Sequence, residues 1–167
     1  MLVIREPSRQ FVYRVAGVAL HQGRVLLHRS ERDDYWTLPG GRGEMLEPSV
    51  DTLRREMLEE MGLAVDVGRL AWVIENFYEE KARTWHVLGL YFLMSFPPDS
   101  PVWARGDTFS GKEDFPQGFQ LTLTFQWIPV DALDPLAFQP AILKAGLRHV
   151  PESVRHIIAD TRTAPAS

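Results

Sequence analysis

The chain has 167 residues, no cysteine, and 18 basic against 22 acidic side chains, which leaves a net charge of -4. This length suits one domain with a substantial core, and the lack of cysteine excludes disulfides, thiolate catalysis and cysteine-ligated metals. The acidic balance argues against an extensive nucleic-acid surface, and because no apolar run reaches membrane-spanning length we expect a cytoplasmic protein with no membrane partner.

The first elements predicted along the chain are two strands joined by a turn. Residues 11–20 are largely apolar with interspersed polar positions, residues 21–24 (His-Gln-Gly-Arg) interrupt them, and residues 25–28 resume the run. This arrangement is typical of a β-hairpin. A short strand is predicted at 36–38, and Pro39-Gly40-Gly41 is expected to follow it as a loop, because proline and paired glycines do not continue regular structure.

A helix is predicted over residues 48–61. Apolar side chains recur there at three- and four-residue steps, Pro48 suits the first helical turn, and Gly62 suits the C-terminal cap. Two β-rich runs follow at 65–77 and 84–96, and the charged residues 78–83 are predicted to form the turn between them.

The rest of the chain is predicted as an irregular excursion followed by a strand and short helices. Residues 97–122 hold four prolines and three glycines, which favours irregular structure. The patterns that follow predict a strand at 124–130, a helical turn at 131–133, helices at 139–149 and 152–160, and a frayed tail at 161–167. Strand pairs on either side of an amphipathic helix imply an α/β fold with a mixed sheet.

The predicted helix carries three carboxylates on one face. At about 100° per residue, Glu56, Glu59 and Glu60 fall within an arc of about 100° beside the apolar stripe. Such like charges repel one another, and a hard divalent cation would relieve the repulsion, because Mg2+ prefers oxygen ligands and retains water. The alternative is a solvated acidic face on which Arg55 pairs with Glu59.

The spacing around these carboxylates resembles the Nudix box, Gly-x5-Glu-x7-Arg-Glu-U-x-Glu-Glu-x-Gly-U, where U is aliphatic. The matching positions are Gly41, Glu47, Arg55, Glu56, Met57, Glu59, Glu60, Gly62 and Leu63. The resemblance extends outward through Trp36-x-Leu38-Pro39-Gly40-Gly41 and Phe125-x-Trp127-Ile128-Pro129. One departure is Leu46, where many members of the family have glycine.

The resemblance implies a fold and an activity. It implies an α/β/α sandwich with a mixed β-sheet, made of a Nudix hydrolase domain at 11–150 between an N-terminal extension at 1–10 and a C-terminal helix or tail at 151–167. The implied reaction is attack of water on the diphosphate of a small nucleoside diphosphate derivative, with Mg2+ or Mn2+ as cofactor, in a monomer or homodimer. A non-catalytic nucleotide-binding or regulatory Nudix domain is the alternative. Isoprenoid diphosphate isomerisation on a related fold is disfavoured, because it uses a cysteine.

The resemblance also implies roles for individual residues. Glu56, Glu59, Glu60 and Arg55 would be catalytic, and the ion would be held by Glu60, Glu56, Glu59 and the Gly40 carbonyl. Arg55 would orient the carboxylates through a salt bridge with Glu47, and Glu47 and Glu44 would lie outside the ligands themselves. Which glutamate deprotonates the water differs among members and stays open. Some members add a distant acid, for which the candidates are Glu113, Asp114, Glu79 and Glu80, each of them otherwise a solvated charge.

Substrate contacts are expected from the early strands and from loops that face the box. The candidates are Arg14, Arg29 and Arg32 for phosphate and Tyr35, Phe77 and Tyr78 for stacking on a base. The five histidines are expected to be structural or solvated, because no two of them have the spacing of a helical zinc site.

Overall fold

Eleven strands join into one mixed sheet with an α-helix on each side, in a computed structural model that describes residues 3–115 and 117–162. In chain order the elements are β1 (Val3–Arg5), β2 (Arg9–His21), β3 (Arg24–Ser30), β4 (Trp36–Thr37), β5 (Gly40–Arg42), α1 (Ser49–Met61), β6 (Asp66–Glu80), β7 (Arg83–Ser95), β8 (Thr108–Asp114), β9 (Gln120–Pro129), β10 (Phe138–Gln139), α2 (Leu143–Arg148) and β11 (Arg155–Asp160). The main order across the sheet is β10-β4-β3-β2-β7-β6-β11, and β9 joins β3 to β8.

Strand β2 organises the sheet, because its two edges have different partners. One edge pairs in parallel with β7 over most of its length. The other edge is shared by β1, β5 and β3, each of them antiparallel to β2, and β3 pairs only at Leu20 and His21. The predicted hairpin is therefore present, but its strands separate beyond the turn, and β5 occupies the edge of β2 at Arg14–Ala16.

Two separate hydrophobic cores lie on the two faces of the sheet. Alternation along β2 sends Val15 and Ala19 to the face covered by α1, and Ala16 and Val18 to the face covered by α2. Helix α1 adds Leu53, Met57 and Met61 to the first core, and α2 adds Leu143 and Leu147 to the second. The predicted α/β/α sandwich with a mixed sheet is confirmed.

Helix α1 lies where its periodicity predicts. Pro48 is its N-cap rather than part of its first turn. At the other end Gly62 has a φ of 68°, and its N–H donates to the carbonyl of Leu58 at 2.9 Å. A left-handed residue that closes the last turn is a common helix ending, and glycine adopts it without steric cost.

Two predicted loops are shorter than expected, because backbone pairing continues into them. The connection between β6 and β7 is only Lys81-Ala82, both with positive φ, so Tyr78 and the charged Glu79 and Glu80 belong to β6. Charged side chains are compatible with exposed strand ends, so their presence did not mark a turn. Gly40 and Gly41, expected in a loop, belong to β5 and pair with Ala16 and Val15.

Two further segments form strands that their sequences did not predict. The excursion at 97–122 contains β8, which pairs with β9 along Thr108–Asp114. The helix predicted at 152–160 is wrong, because Arg155–Asp160 forms β11, which pairs in parallel with β6 and packs Ile157 and Ala159 onto the core beneath α2. The helix predicted at 139–149 is shorter than expected, because it is limited to α2 at Leu143–Arg148. Gln139, the first residue of the predicted helix, belongs instead to β10, which pairs with β4.

The remaining predictions concern the termini and the membrane. The predicted helical turn near residue 131 is present as a 3-10 turn at Val130–Ala132. Residues 163–167 of the predicted tail lie outside the described residues. Within the described part of the chain, no helix is long and apolar enough to cross a membrane.

Candidate active site

The three carboxylates of α1 have very different surroundings. The side chain of Glu60 is 4% exposed, that of Glu56 is 13% exposed and that of Glu59 is 60% exposed. This difference in exposure follows from the rotation of about 100° per helical residue, because the arc that holds the three side chains runs from the buried apolar stripe of α1 to solvent. A solvated acidic face therefore describes Glu59 but not its two neighbours.

The Arg55 guanidinium joins the helix to the loop that precedes it. Its Nε and Nη2 donate to the two carboxylate oxygens of Glu47 at 2.8 and 3.0 Å. Its Nη1 donates to Glu56 at 2.9 Å and to Glu59 at 3.1 Å, and Nη2 also donates to the backbone carbonyl of Arg42 at 3.1 Å. One cation thus fixes the orientation of two helical carboxylates relative to β5.

Glu47 anchors this network from the other side. The hydrogen bonds from Arg55 hold the pKa of the Glu47 carboxyl at about 2, and two further donors add to this effect. These donors are the hydroxyl of Thr52 at 2.7 Å and the backbone N–H of Glu44 at 3.1 Å. The side chain of Glu44 is exposed. The structure therefore brings Glu47 and Arg55 together, and it contributes Glu44 to the network through its backbone.

Two glycines allow β5 to approach its neighbours. A Cβ on Gly41 would stand 2.2 Å from the carboxyl carbon of Glu56, so the absence of a side chain makes room for that carboxylate. A Cβ on Gly40 would stand 2.2 Å from the carbonyl oxygen of Val15, and Gly40 has a φ of +143° that favours glycine. The paired glycines therefore place β5 between β2 and the acidic face of α1.

Glu60 and His28 form a buried pair without good hydrogen bonds. His28 Nδ1 lies 3.5 Å from Glu60 Oε2, and neither atom has a hydrogen-bond partner among the described residues. Burial raises the pKa of the Glu60 carboxyl well above its usual range, and the charge of Glu56 adds to this. Burial also lowers the pKa of His28 to about 3, so its imidazole is neutral. His28 alternates with the buried Leu26 on β3, and it is not among the residues that the sequence singled out for the site.

Positive charge is supplied by two arginines on neighbouring strands. Arg14 on β2 and Arg42 on β5 are directly opposite each other. Arg14 also donates to the Leu38 carbonyl at 3.1 Å, and its charge opposes the rise in the pKa of Glu56 and of Glu60. Burial lowers the pKa of Arg42, and the charge of Arg14 adds to this. Like charges so placed favour an anion between them. The sequence named Arg14 but missed Arg42, because only the pairing of β5 with β2 brings the two together.

Among the candidates for a distant acid, Glu113 interacts electrostatically with a carboxylate of α1. It lies half-buried on β8, burial raises the pKa of its carboxyl, and its charge in turn raises the pKa of Glu60. Asp114 is exposed and bonded to Gln120 at 2.6 Å and to Lys112 at 3.0 Å. Glu79 and Glu80 are exposed at the far end of β6.

The predicted substrate residues divide into two groups. Tyr35 and Tyr78 are half-buried near Arg14, whose charge acts on both, and burial raises the pKa of Tyr78 to about 12. Phe77 faces the other side of β6, because neighbouring side chains of a strand alternate, and its ring stacks on His86 with centroids 4.3 Å apart. Arg29 and Arg32 are exposed and lie over the rings of Trp36 and Phe119. Phe77 and Tyr78, both candidates for stacking on a base, therefore lie on opposite faces of β6.

The donor set fits a hard divalent ion bound jointly with substrate. Across residues 3–115 and 117–162, no three Asp, Glu or His side chains converge closely enough to enclose an ion by themselves. Mg2+ does not need such a cage, because it retains several waters and completes its shell with one or two carboxylates and substrate phosphates. The buried Oε2 of Glu60 and the carboxylate of Glu56 could supply those oxygen ligands.

Comparisons with known proteins agree on one family. A family model described as NUDIX domain matches residues 12–148. A MutT-like protein of Streptomyces ambofaciens is 40% identical over 63 residues, so the match spans 37% of this chain and 41% of that relative. A MutT protein of Bacillus halodurans has a TM-score of 0.58 at 20% identity, covering 92% of this chain and 91% of its own. An ADP-ribose pyrophosphatase of Streptococcus suis has a TM-score of 0.56 at 17% identity, covering 88% and 98%. These two structures show the same fold.

Proposed function

The chain belongs to the Nudix hydrolase family, and from this premise we propose that it is a metal-dependent hydrolase of a nucleoside diphosphate linked to another moiety. The observation that carries the proposal is the buried carboxylate of Glu60, whose Oε2 meets no hydrogen-bond donor within the described residues. An ionised carboxylate that is buried without a hydrogen-bond donor destabilises the fold unless a cation compensates its charge. Glu56 and Glu113 add two more half-buried carboxylates nearby, each with a raised pKa.

The residues that would hold the ion are Glu60, Glu56 and Glu59, together with the Gly40 carbonyl. A bound Mg2+ or Mn2+ would neutralise the diphosphate and activate a water for attack on phosphorus. Arg55 orients the carboxylates, because its Nη1 bonds one oxygen of Glu56 and one of Glu59 and leaves the second oxygen of each without a bond to Arg55.

The chain offers contacts for both ends of such a substrate. Arg14 and Arg42 present two guanidinium groups that suit phosphate oxygens. Tyr35 and Tyr78 lie half-buried beside Arg14 and offer rings for a base. The proton of the attacking water would pass to a carboxylate within reach, for which Glu56 and Glu113 are the candidates. An ADP-ribose pyrophosphatase with this fold makes ADP-ribose one substrate to test.

The experiment is a product screen with the purified chain in Mg2+ and in Mn2+. The panel contains nucleoside triphosphates, nucleotide sugars, ADP-ribose and dinucleoside polyphosphates, and chromatography detects the nucleoside monophosphate released. Reaction in 18O-labelled water identifies the phosphorus that is attacked. Release of a monophosphate that Glu60→Gln abolishes supports the proposal. Tight nucleotide binding without turnover across the panel would instead identify a non-catalytic binding domain.

A further inference from the structure

The side chain of His28 faces the acidic end of α1 from the opposite wall of the core. Strand β3 alternates, so Leu26 and His28 point toward α1, and the His28 ring lies 5.3 Å from the ring of Phe125 on β9. The side chain is 7% exposed, and its Nδ1 lies 3.5 Å from Glu60 Oε2. Two polar atoms that are buried face to face without partners need an explanation, because each carries an uncompensated desolvation cost.

An ordinary hydrogen bond does not explain the contact. A separation of 3.5 Å is too long for a good N–H to oxygen hydrogen bond. A neutral imidazole nitrogen and a carboxylate oxygen are, however, both ligands for divalent metals.

The spacing permits one ion to bind both atoms. Metal bonds to imidazole nitrogen and carboxylate oxygen are about 2.1 Å long, so a shared ion can bridge atoms up to about 4.2 Å apart. The separation of 3.5 Å between His28 Nδ1 and Glu60 Oε2 falls within that limit. A shared ion would also give both buried atoms the partner that they lack among the side chains described.

We infer that His28 Nδ1 is a nitrogen ligand of the ion held by Glu60, so that the site prefers Mn2+ and Co2+ over Mg2+. The inference rests on the proposed function in one respect, namely that a divalent ion binds at Glu60. The preference follows from ligand chemistry, because imidazole favours the later first-row metals whereas Mg2+ favours an all-oxygen shell.

The first test is electron spin echo envelope modulation of the chain loaded with Mn2+. A nitrogen bonded to the ion gives a 14N modulation, which we expect in the wild type and not in His28→Gln. His21→Gln is the matched control, because His21 lies half-buried at the end of β2 against Trp103 and should leave the modulation intact. The wild-type spectrum alone overturns the inference if the 14N modulation is missing, even where a variant fails to fold.

The second test is calorimetric titration of the same proteins with Mg2+, Mn2+ and Co2+. We expect His28→Gln to weaken Mn2+ and Co2+ binding by at least about tenfold and Mg2+ binding by less than about threefold. Equal weakening of all three ions overturns the inference and makes His28 a residue that only positions Glu60. Turnover without 14N modulation defeats this inference alone, whereas 14N modulation without turnover of any substrate defeats the proposed function alone. If none of the three ions binds, both the inference and the proposed function are overturned.

Discussion

The carboxylate of Glu56 lies against the backbone of Gly41, in space that a side chain at Gly41 would fill. The atoms displaced by a Cβ there belong to the end of a flexible side chain, so Gly41→Ala should fold and move the carboxylate instead. We expect unfolding free energy to change by less than about 1 kcal/mol while kcat falls about 100-fold. Chemical denaturation and steady-state kinetics measure the two effects.

Gly40→Ala is the matched comparison for that substitution. A Cβ at Gly40 would meet the backbone of Val15, which cannot move as a side chain end can, and the φ of +143° adds strain. We expect a loss of about 3 kcal/mol or more in unfolding free energy. If Gly41→Ala proves as destabilising as Gly40→Ala, then making room for the Glu56 carboxylate is not the reason for glycine at position 41.

The second prediction concerns Glu47 and acid stability. Its pKa is about 2 in the folded chain against an ordinary 4.5, so it contributes stability above pH 4.5 that is lost as the pH falls toward 2. Glu47→Gln lacks this contribution at every pH. The difference in unfolding free energy between wild type and variant should therefore be largest near neutrality and shrink between pH 5 and pH 3.

Urea denaturation at fixed pH values measures this difference. Asp51→Asn is a suitable control, because Asp51 forms an exposed pair with Arg54 on the same helix and should show a small difference at all pH values. A difference for Glu47→Gln that stays constant with pH would show that its bonds to Arg55 do not depend on charge.

The third prediction separates stability from function at Glu60. The side chain is 4% exposed and its Oε2 has no donor among the described groups, so in a metal-free chain the ionised form destabilises the fold. Glu60→Gln should raise the melting temperature in the presence of a chelator and lower kcat by at least about 1000-fold with Mg2+. Glu59→Gln, at 60% exposure, should leave the melting temperature unchanged. A lower melting temperature for Glu60→Gln would mean that the buried carboxylate is compensated in some other way.

The part of the site that the sequence could predict is the part carried by one helix. The steps of α1 are local, so the arc shared by Glu56, Glu59 and Glu60 follows from helix geometry alone. The contact between Arg55 and Glu47 is implied by the family resemblance, and the structure shows it between residues eight apart in the chain. The family resemblance and the α/β/α sandwich with a mixed sheet are likewise confirmed.

The rest depends on pairings between distant segments, which no local pattern encodes. Strand β8 has few apolar side chains and forms because it pairs with β9. This pairing places Glu113 where its charge acts on Glu60. Arg42 reaches Arg14 only because β5 pairs with β2. The helix predicted at 152–160 failed for the same reason, since pairing with β6 stabilises a strand there. Tertiary contacts of this kind override local propensity.

The fourth prediction concerns Leu46, the position where the chain departs from the family pattern. Leu46 has a φ of 66° and is 98% exposed, so it carries left-handed strain that no packing compensates. Leu46→Gly should raise the unfolding free energy by about 0.5–1 kcal/mol. Met45→Gly is the control, because Met45 is also exposed but lies outside the left-handed region, and glycine there should lower stability by a similar amount. Thermal and urea unfolding of both variants decide whether backbone strain is present at Leu46.

The last prediction uses two neighbours on opposite faces of β6. Tyr78 is half-buried near Arg14 and stacks on Trp85 with an interplanar angle of 2°, whereas Phe77 stacks on His86 and is covered by Arg162. If the base of the substrate binds beside Arg14, Tyr78→Ala should raise KM about tenfold and leave kcat within about twofold, because an aromatic contact contributes about 0.5–1.5 kcal/mol to binding. Phe77→Ala removes a ring of similar size from the other face, so it should lower stability without raising KM. Steady-state kinetics on the best substrate of the screen compare the two, and a KM that rises equally in both variants would place the base elsewhere.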